Sequence, residues 1–585
     1  MRRRGAWACV LGLSGIAAAL GLAAGSGCGN EFTSGTGATA GASATGGGGE
    51  TGLTGGQGGG GHGLGGGGTA GTGGTGGGPA CSPPTTEACY DGPAETQGVG
   101  TCHDGTRTCN ADGQWGACEG EQLPQVEDCK APHDEDCNGV VCSAPLWSAM
   151  AGGVGEDLAV SVAFDSLRNV AVAGTFHGTL SLAPVTLTSH GGADGFVLMF
   201  DPNGAPLWGL AIGGQGDDHA TGVAFDSQDK LLVTGWFVGQ AVVDDGHTIA
   251  AGGAEDGFLA KIATSQAPHV EWANHLGTAV GVTGSKHPLA LAVDGAGDVV
   301  IVGSNTGHWA CGVPTCDTAP VGLEAFVDKH SGSDGSLLWR VRWDSVGDQV
   351  ADAVTVLGGD SPVVGGSFYQ QINVGGPLYV TPDDLTRYGF VARLAGATGD
   401  TTWALSLGDG ATSTDQTVTA VAACPNGDIA LAGFGSRAVA FDNSLVVPGS
   451  NDPNVLVGRY GADGSVVWGH VYGDVAPQHA LAVAVDSHDQ IVVAGANAGS
   501  INFGDGQLVT TGVDDVFLTK LTADGQGAVW SKGFGGVFPD RASAVAVNAL
   551  DQIAIAGDAG SSLNFGSGPL VFGGAQDAFV ALFQP

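Results

Sequence analysis

From Trp147 onward, short runs of small, β-branched and aromatic residues alternate with glycine- and aspartate-rich breaks, and no stretch sustains a helical period. One unit reads in full. Residues 221–226 and 230–235 form two strands around a turn at Ser227, Gln228 and Asp229. Residues 256–262 form a third strand and 270–274 a fourth. The unit recurs with a period of about sixty-four residues, the mark of a repeat architecture. Trp147, Trp208, Trp272, Trp339, Trp403, Trp468 and Trp530 keep the phase, and so do Gly174, Gly235, Gly303, Gly365, Gly433, Gly495 and Gly557. The third strand returns around Phe196, Phe258, Phe326, Phe390, Phe517 and Phe579, with Leu456 in the Phe place of the fifth unit.

Four strands per unit and seven units predict an all-β chain folded as a seven-bladed β-propeller over residues 143–585. The Trp147 strand comes before any other, and the chain ends on a third strand, 578–583, without a fourth. Pairing the two completes the last blade and hides an edge. The residues resemble the bacterial cell-surface β-propeller repeat called SBBP: a Trp strand, Gly-Gly-x-Gly-x-Asp, a strand ending in Val-Asp, then Val-x-Val-x-Gly. The run 213–218 followed by 222–226 carries this pattern most fully, and the third and fourth units lack the Gly-Gly-x-Gly run. The resemblance implies an exported or surface protein and no shared activity.

The N-terminal part is built differently. Arg2, Arg3 and Arg4 precede an apolar stretch, then Gly25, Ser26 and Gly27 lead to Cys28. That order reads as a secretory signal over residues 1–27. It resembles a bacterial lipoprotein signal, although Gly25 stands where the family prefers Leu. The resemblance implies acylation of Cys28 and, with Gly29 next, a place on the outer membrane. Residues 28–80 are mostly Gly, Thr, Ala and Ser, too poor in apolar surface to fold, and read as a flexible tether.

Cys81, Cys89, Cys102, Cys109, Cys118, Cys129, Cys137 and Cys142 follow within residues 81–142. An even count in an exported chain points to a disulfide-stapled module, its pairing open. Residues 89–121 resemble a cysteine-rich module of bacterial surface proteins whose acidic end is described as metal-binding. Here Asn138 interrupts that acidic run, and an acidic turn between disulfides explains it with less. Cys311 and Cys316 read as one further disulfide loop.

The net charge of −39 sets the surface against nucleic acid and anionic membrane, so membrane contact is expected only through the lipid anchor. A cation such as Ca²⁺ is compatible with it. The repeats carry no nucleophile, metal or phosphate motif, so no catalytic residue, metal ligand or cofactor is assigned. The fifteen histidines recur in no column, and the first strands, rich in Ala and Val, offer no ring of acids, bases or arginines. The Asp closing the first strand reads as a cap on its own turn. The phasing tryptophans read as packing residues, whereas Trp236 and Trp309 stand outside that column and are the candidates for ligand contact. The expected role is that of a monomeric, non-catalytic surface lipoprotein that binds an extracellular protein or glycan. The alternatives are a hydrolase or lyase acting on extracellular polymer and a Ca²⁺-stabilised structural protein.

Overall fold

The computed structural model describes residues 81–125, 145–244, 246–264, 268–277, 284–306, 322–376, 378–408, 410, 414–442 and 445–585. The signal, the tether, Cys28, Cys129, Cys137, Cys142, Trp309, Cys311 and Cys316 lie outside them. Packing divides the chain into two compact units. The smaller, among described residues, is 81–87 with 107–117. It is closed by the Cys81–Cys109 disulfide, and Arg107 Nε donates to Glu87 at 2.8 Å. The larger is 88–106 with 118–585 and contains the Cys89–Cys118 disulfide. Cys102 is disulfide-bonded as well. No helix among the described residues is long and apolar enough to cross a membrane.

The larger unit is all-β and of propeller type. Its strands come in antiparallel groups of four, ordered in space as in sequence. The first group is Asp157–Phe164, Val170–Leu182, Val185–Phe200 and Pro206–Gly214. The second is His219–Phe225, Lys230–Asp244, His247–Ala263 and His269–His275. Gly213 and Gly214 also pair with Val242 and Ala241, so these two groups form one continuous sheet. The first strands of the later groups are Lys286–Val293, Gln349–Leu357, Gln416–Ala423, Gln478–Val485 and Asp540–Val547. Consecutive first strands pack side by side, and Asp540–Val547 packs back against Asp157–Phe164, so the first strands surround a common axis. The last group takes its fourth strand from the start of the repeat region: Pro145–Ala151 pairs with Asp577–Phe583, Trp147 opposite Leu582. In the first two groups the second and third strands run on into long hairpins, ending Leu182/Val185 and Asp244/His247, which the repeat pattern does not mark as strand.

The phasing glycine has a steric cause. Each first strand carries a bulge at the same place, between Ala159/Ser161, Ala220/Gly222, Pro288/Ala290, Ala351/Ala353, Val418/Ala420, Ala480/Ala482 and Ala542/Ala544. The bulge pushes a carbonyl at the second strand, and a Cβ there would overlap it: Leu158 O at Gly174, His479 O at Gly495, Arg541 O at Gly557. In the fourth unit that place belongs to Gly366, which faces Val350 O and Phe390, and not to Gly365, whose Cβ would meet only the Val418 and Val421 side chains. The sequence period selects the wrong member of a Gly-Gly pair.

Four of the seven phasing tryptophans tie one group to the next through a hydrogen bond. The indole N–H groups of Trp147, Trp339, Trp403 and Trp468 donate to Pro202, Gly396, Ala462 and Ala523 O, in the turn before the following group's fourth strand. Gly204, Gly399, Gly464 and Gly525, with φ of 83°, 78°, 84° and 71°, lie under those rings.

Candidate functional site

The axis has two ends of different chemistry. At one end lie the turns after the first strands. Asp165, Asp226, Asp294 and Asp486 each accept the backbone N–H groups two and four residues on, and Asn548 does the same through its amide oxygen. The recurring Asp is a turn cap, as its position implies. Ammonium groups from neighbouring strands neutralise three of them: Lys261 on Asp226 at 2.8 Å, Lys329 on Asp294 at 2.6 Å and Lys520 on Asp486 at 2.8 Å. Adjacent turns are tied together, Ser166 to Asp229 and Ser487 to Asp551. A recess of about 380 Å³ opens here, lined by Phe164, Asp165, Phe225, Asp226, Asp229 and Asn548. Asp486, His488 and Asp551 bring three metal-capable atoms within 4.8 Å of one another. The Lys520 ammonium on Asp486 already supplies the positive charge that such a cluster would seek.

The other end is formed by the loops that lead into the first strands and by the hairpins between second and third strands. The Gly-Gly-x-Gly-x-Asp run is a self-capping loop. Asp157 accepts Gly153 N–H and His177 N–H, Asp218 accepts Gly214 and Val238, and Asp540 accepts Gly536 and Gly560. Removing these carboxyls from water pushes them up, Asp157 and Asp218 to about 6 and Asp540 to about 7, despite those hydrogen bonds.

The residue after that Asp position opens the mouth. It is Leu158, His219, His287, Val350, Thr417, His479 and Arg541 around the ring. Three histidines therefore do share a column, which corrects the sequence reading; with Arg541 they occupy four of the seven places, and Leu158, Val350 and Thr417 interrupt any ring of bases. His219 shares a 2.8 Å hydrogen bond with Thr175 Oγ1, and His287 Nε2 lies 2.6 Å from Glu255 Oε2. His479 stands edge-on to Phe434 at 4.6 Å. Burial pulls His219 and His479 down to about 4, which keeps both imidazoles neutral at pH 7. Arg387 forms a two-pronged pair with Asp415, at 2.6 and 2.9 Å, with the Tyr369 and Phe434 rings 5.8 and 5.5 Å away. Beside it, at the bulge of the fourth first strand, Asp352 keeps Oδ2 buried without a partner, and burial lifts its carboxyl to about 7 against the pull of Arg387.

Of the two ligand-contact candidates, Trp236 falls in this mouth. Only 6 % of it is exposed; the indole is sandwiched by His219 at 3.9 Å and His287 at 4.8 Å. The loops above are apolar at their tips: Val154 is 93 % exposed, Val475 80 %, Val537 72 %, Phe538 58 % and Val346 57 %. Spaced one or more repeats apart, with Leu, Val, Thr or Arg in the other places of the column, the mouth histidines give no periodic signal. The exposed valines occur at loop centres in four units, a signal that the sequence carries in plain view.

No family model and no curated protein matches this chain. Solved structures with partial likeness include the WD40 β-propeller domain of Doa1, at 11 % identity over 76 % of this chain and 97 % of that one, TM-score 0.37. The quinohemoprotein alcohol dehydrogenase of Comamonas testosteroni matches at 11 % identity over 75 % and 76 %, TM-score 0.37. BamB of Moraxella catarrhalis matches at 12 % identity over 70 % and 94 %, TM-score 0.31.

Proposed function

We propose that the protein is a surface lipoprotein, anchored through Cys28, whose seven-bladed propeller binds an extracellular protein or glycan without catalysing a reaction. The observation that carries this reading is the crown of solvent-facing apolar tips, Val154, Val346, Val475, Val537 and Phe538, set on loops of one end around a polar, aromatic mouth. Apolar side chains gathered on the loops of one face, around a polar centre, suit contact with a partner better than contact with water. The test is a glycan array and a pull-down with the whole protein and a Val154→Asp/Val475→Asp/Phe538→Asp variant. Binding that the variant loses, with its melting temperature kept, supports the reading; binding that the variant keeps in full overturns it. Anchoring is tested separately: Cys28→Ser should move the protein from membranes to the soluble fraction.

One observation favours the second reading, a polymer-acting hydrolase or lyase. Asp352, beside the Arg387 of this mouth and lifted to about 7, is able to give or take a proton near pH 7. Turnover of an extracellular polysaccharide or peptide polymer, abolished by Asp352→Asn, would establish it in place of pure binding.

A further inference from the structure

At the loop end, the residue that opens each third strand meets the residue that opens the next first strand. The geometry is plainest where both are amides. Asn454 Nδ2 donates to Gln478 Oε1 at 2.9 Å, and Gly473 lies over both side chains. At three consecutive junctions both positions are Asp: Asp515 with Asp540, Asp577 with Asp157, and Asp194 with Asp218. Gly535, Gly152 and Gly213 lie over Asp515, Asp577 and Asp194 as Gly473 lies over Asn454. All six carboxyls are buried. Asp515, Asp577 and Asp194 each spend Oδ2 on a loop N–H, from Thr511, Gly573 and His190, and each leaves Oδ1 buried with no partner. Other junctions avoid two acids: Lys286 follows Asp256, Gln349 follows Glu324, and Gln416 follows Tyr388. Two carboxylates in the place of an Asn–Gln hydrogen bond need something positive between them, and a single proton restores the missing donor.

We propose that each of these three Asp–Asp junctions holds one proton, and that its loss as pH rises through neutrality unlocks the sector of the ring running from Asp515 to Asp218. The inference stands apart from the ligand. It concerns the loops that carry Val154, Val537 and Phe538, because Asp157 and Asp540 are their caps.

The charged neighbours fit. Asp540 faces Asp515 and Asp558, Asp157 faces Asp577 and His177, and Asp218 faces Asp194 and Asp217. Asp558 in turn faces Arg541 and Glu156, and Asp514 faces Arg541 and Asp515. His190 Nδ1 lies 2.8 Å from Asp194 Oδ2, which leaves Asp218 as the protonated member of that pair. The sign follows from the folded values. Asp157, Asp218 and Asp540 hold their protons up to about 6 to 7, against an ordinary 3.8. Their stabilisation is complete below 3.8 and is lost as pH rises through 6 to 7. His219 and His479 act in the opposite sense, and their contribution is lost as pH falls from 6.5 through about 4. The window from pH 6.5 to 8 lies clear of the two histidines and reads the upper part of the acids' loss, chiefly that of Asp540.

The experiment is thermal melting of the whole protein at pH 6.5 and 8, with and without 1 mM CaCl₂, beside the Asp194→Asn/Asp515→Asn/Asp577→Asn variant, which copies Asn454. The expected result is a fall in the wild-type melting temperature of roughly 1–2 °C across the window, flattened in the variant, with calcium without effect. An equal fall in the variant overturns the proposal. So does rescue of the wild type by calcium at pH 8, which would make the pairs cation sites. Should the variant fail to fold, hydrogen exchange of the Gly153, Gly214 and Gly536 amides in the wild type decides. After correction for intrinsic rates, selective loss of protection between pH 6.5 and 8 supports the lock, and protection unchanged overturns it.

Discussion

A single methyl group separates the two glycines of the fourth unit. Gly366→Ala puts a Cβ into the backbone carbonyl of Val350, which cannot yield without breaking the bulge, and should cost about 3 kcal/mol. Gly365→Ala meets only methyl groups of Val418 and Val421, which are able to turn aside, and should cost ~1 kcal/mol. Urea denaturation of the two variants checks the ranking. Periodicity counts residues but has no access to the bulge carbonyl that distinguishes one glycine from its neighbour. The same blindness hides the mouth: His219, His287 and His479 share a column whose other members are Leu158, Val350, Thr417 and Arg541. The turn-capping Asp is legible, because its partners lie two and four residues away. Its buried counter-charge is not. Lys261→Met should cost ~3 kcal/mol by stranding Asp226, and adding Asp226→Asn should recover most of it, since Met199 occupies the corresponding strand place in the first unit. A double-mutant cycle measures the coupling.

At the scale of the strand, the informative element is Pro145–Ala151. Its place beside the C-terminal strand follows from two incomplete units in the sequence, and the Phe579 and Trp147 columns set its register. Trp147 stacks on Phe200 with centroids 5.5 Å apart and donates to Pro202 O at 3.1 Å, so the strand joins the last group to the first. Deleting residues 143–153 removes a ladder of hydrogen bonds and the burial of one indole, the latter alone worth roughly 2–3 kcal/mol. A lowered melting temperature and oligomers on size exclusion are expected, because the Asp577–Phe583 strand then presents a free edge. The long hairpins of the first two groups are not marked by the unit's common pattern; the fourth, fifth and sixth groups carry the same extension only as short separate pairs, Gln371–Asn373 with Leu378–Val380, Val439–Ala440 with Val446–Val447 and Ser500–Asn502 with Gln507–Val509.

Across the whole molecule, charge governs behaviour in solution. A chain of −39 repels itself when compact, and the ammonium and guanidinium groups that offset this are spent inside, on Asp226, Asp294, Asp328, Asp428 and Asp486. Raising NaCl from 10 to 150 mM should therefore raise the melting temperature by several degrees, as the Debye length falls from about 30 to about 8 Å. Buried pairs are screened little, so a fall with salt would mean that attraction between exposed charges outweighs the self-repulsion.

The seam between Pro145–Ala151 and Asp577–Phe583 also has a mechanical meaning. Pro145 lies opposite Phe583 at one end of the strand, and Ala151 leads into the Val154 loop at the other. A pull between the two termini would part this ladder like a zip, one rung after another. A pull between Pro145 and Asp577, which stand on the two paired strands at opposite ends of the ladder, runs along the strands instead and loads every rung at once. The molecule is thus soft to tension across its own ends and stiff to tension transmitted through its loop face. Single-molecule stretching from these two pairs of points should give a low and a high rupture force, in that order.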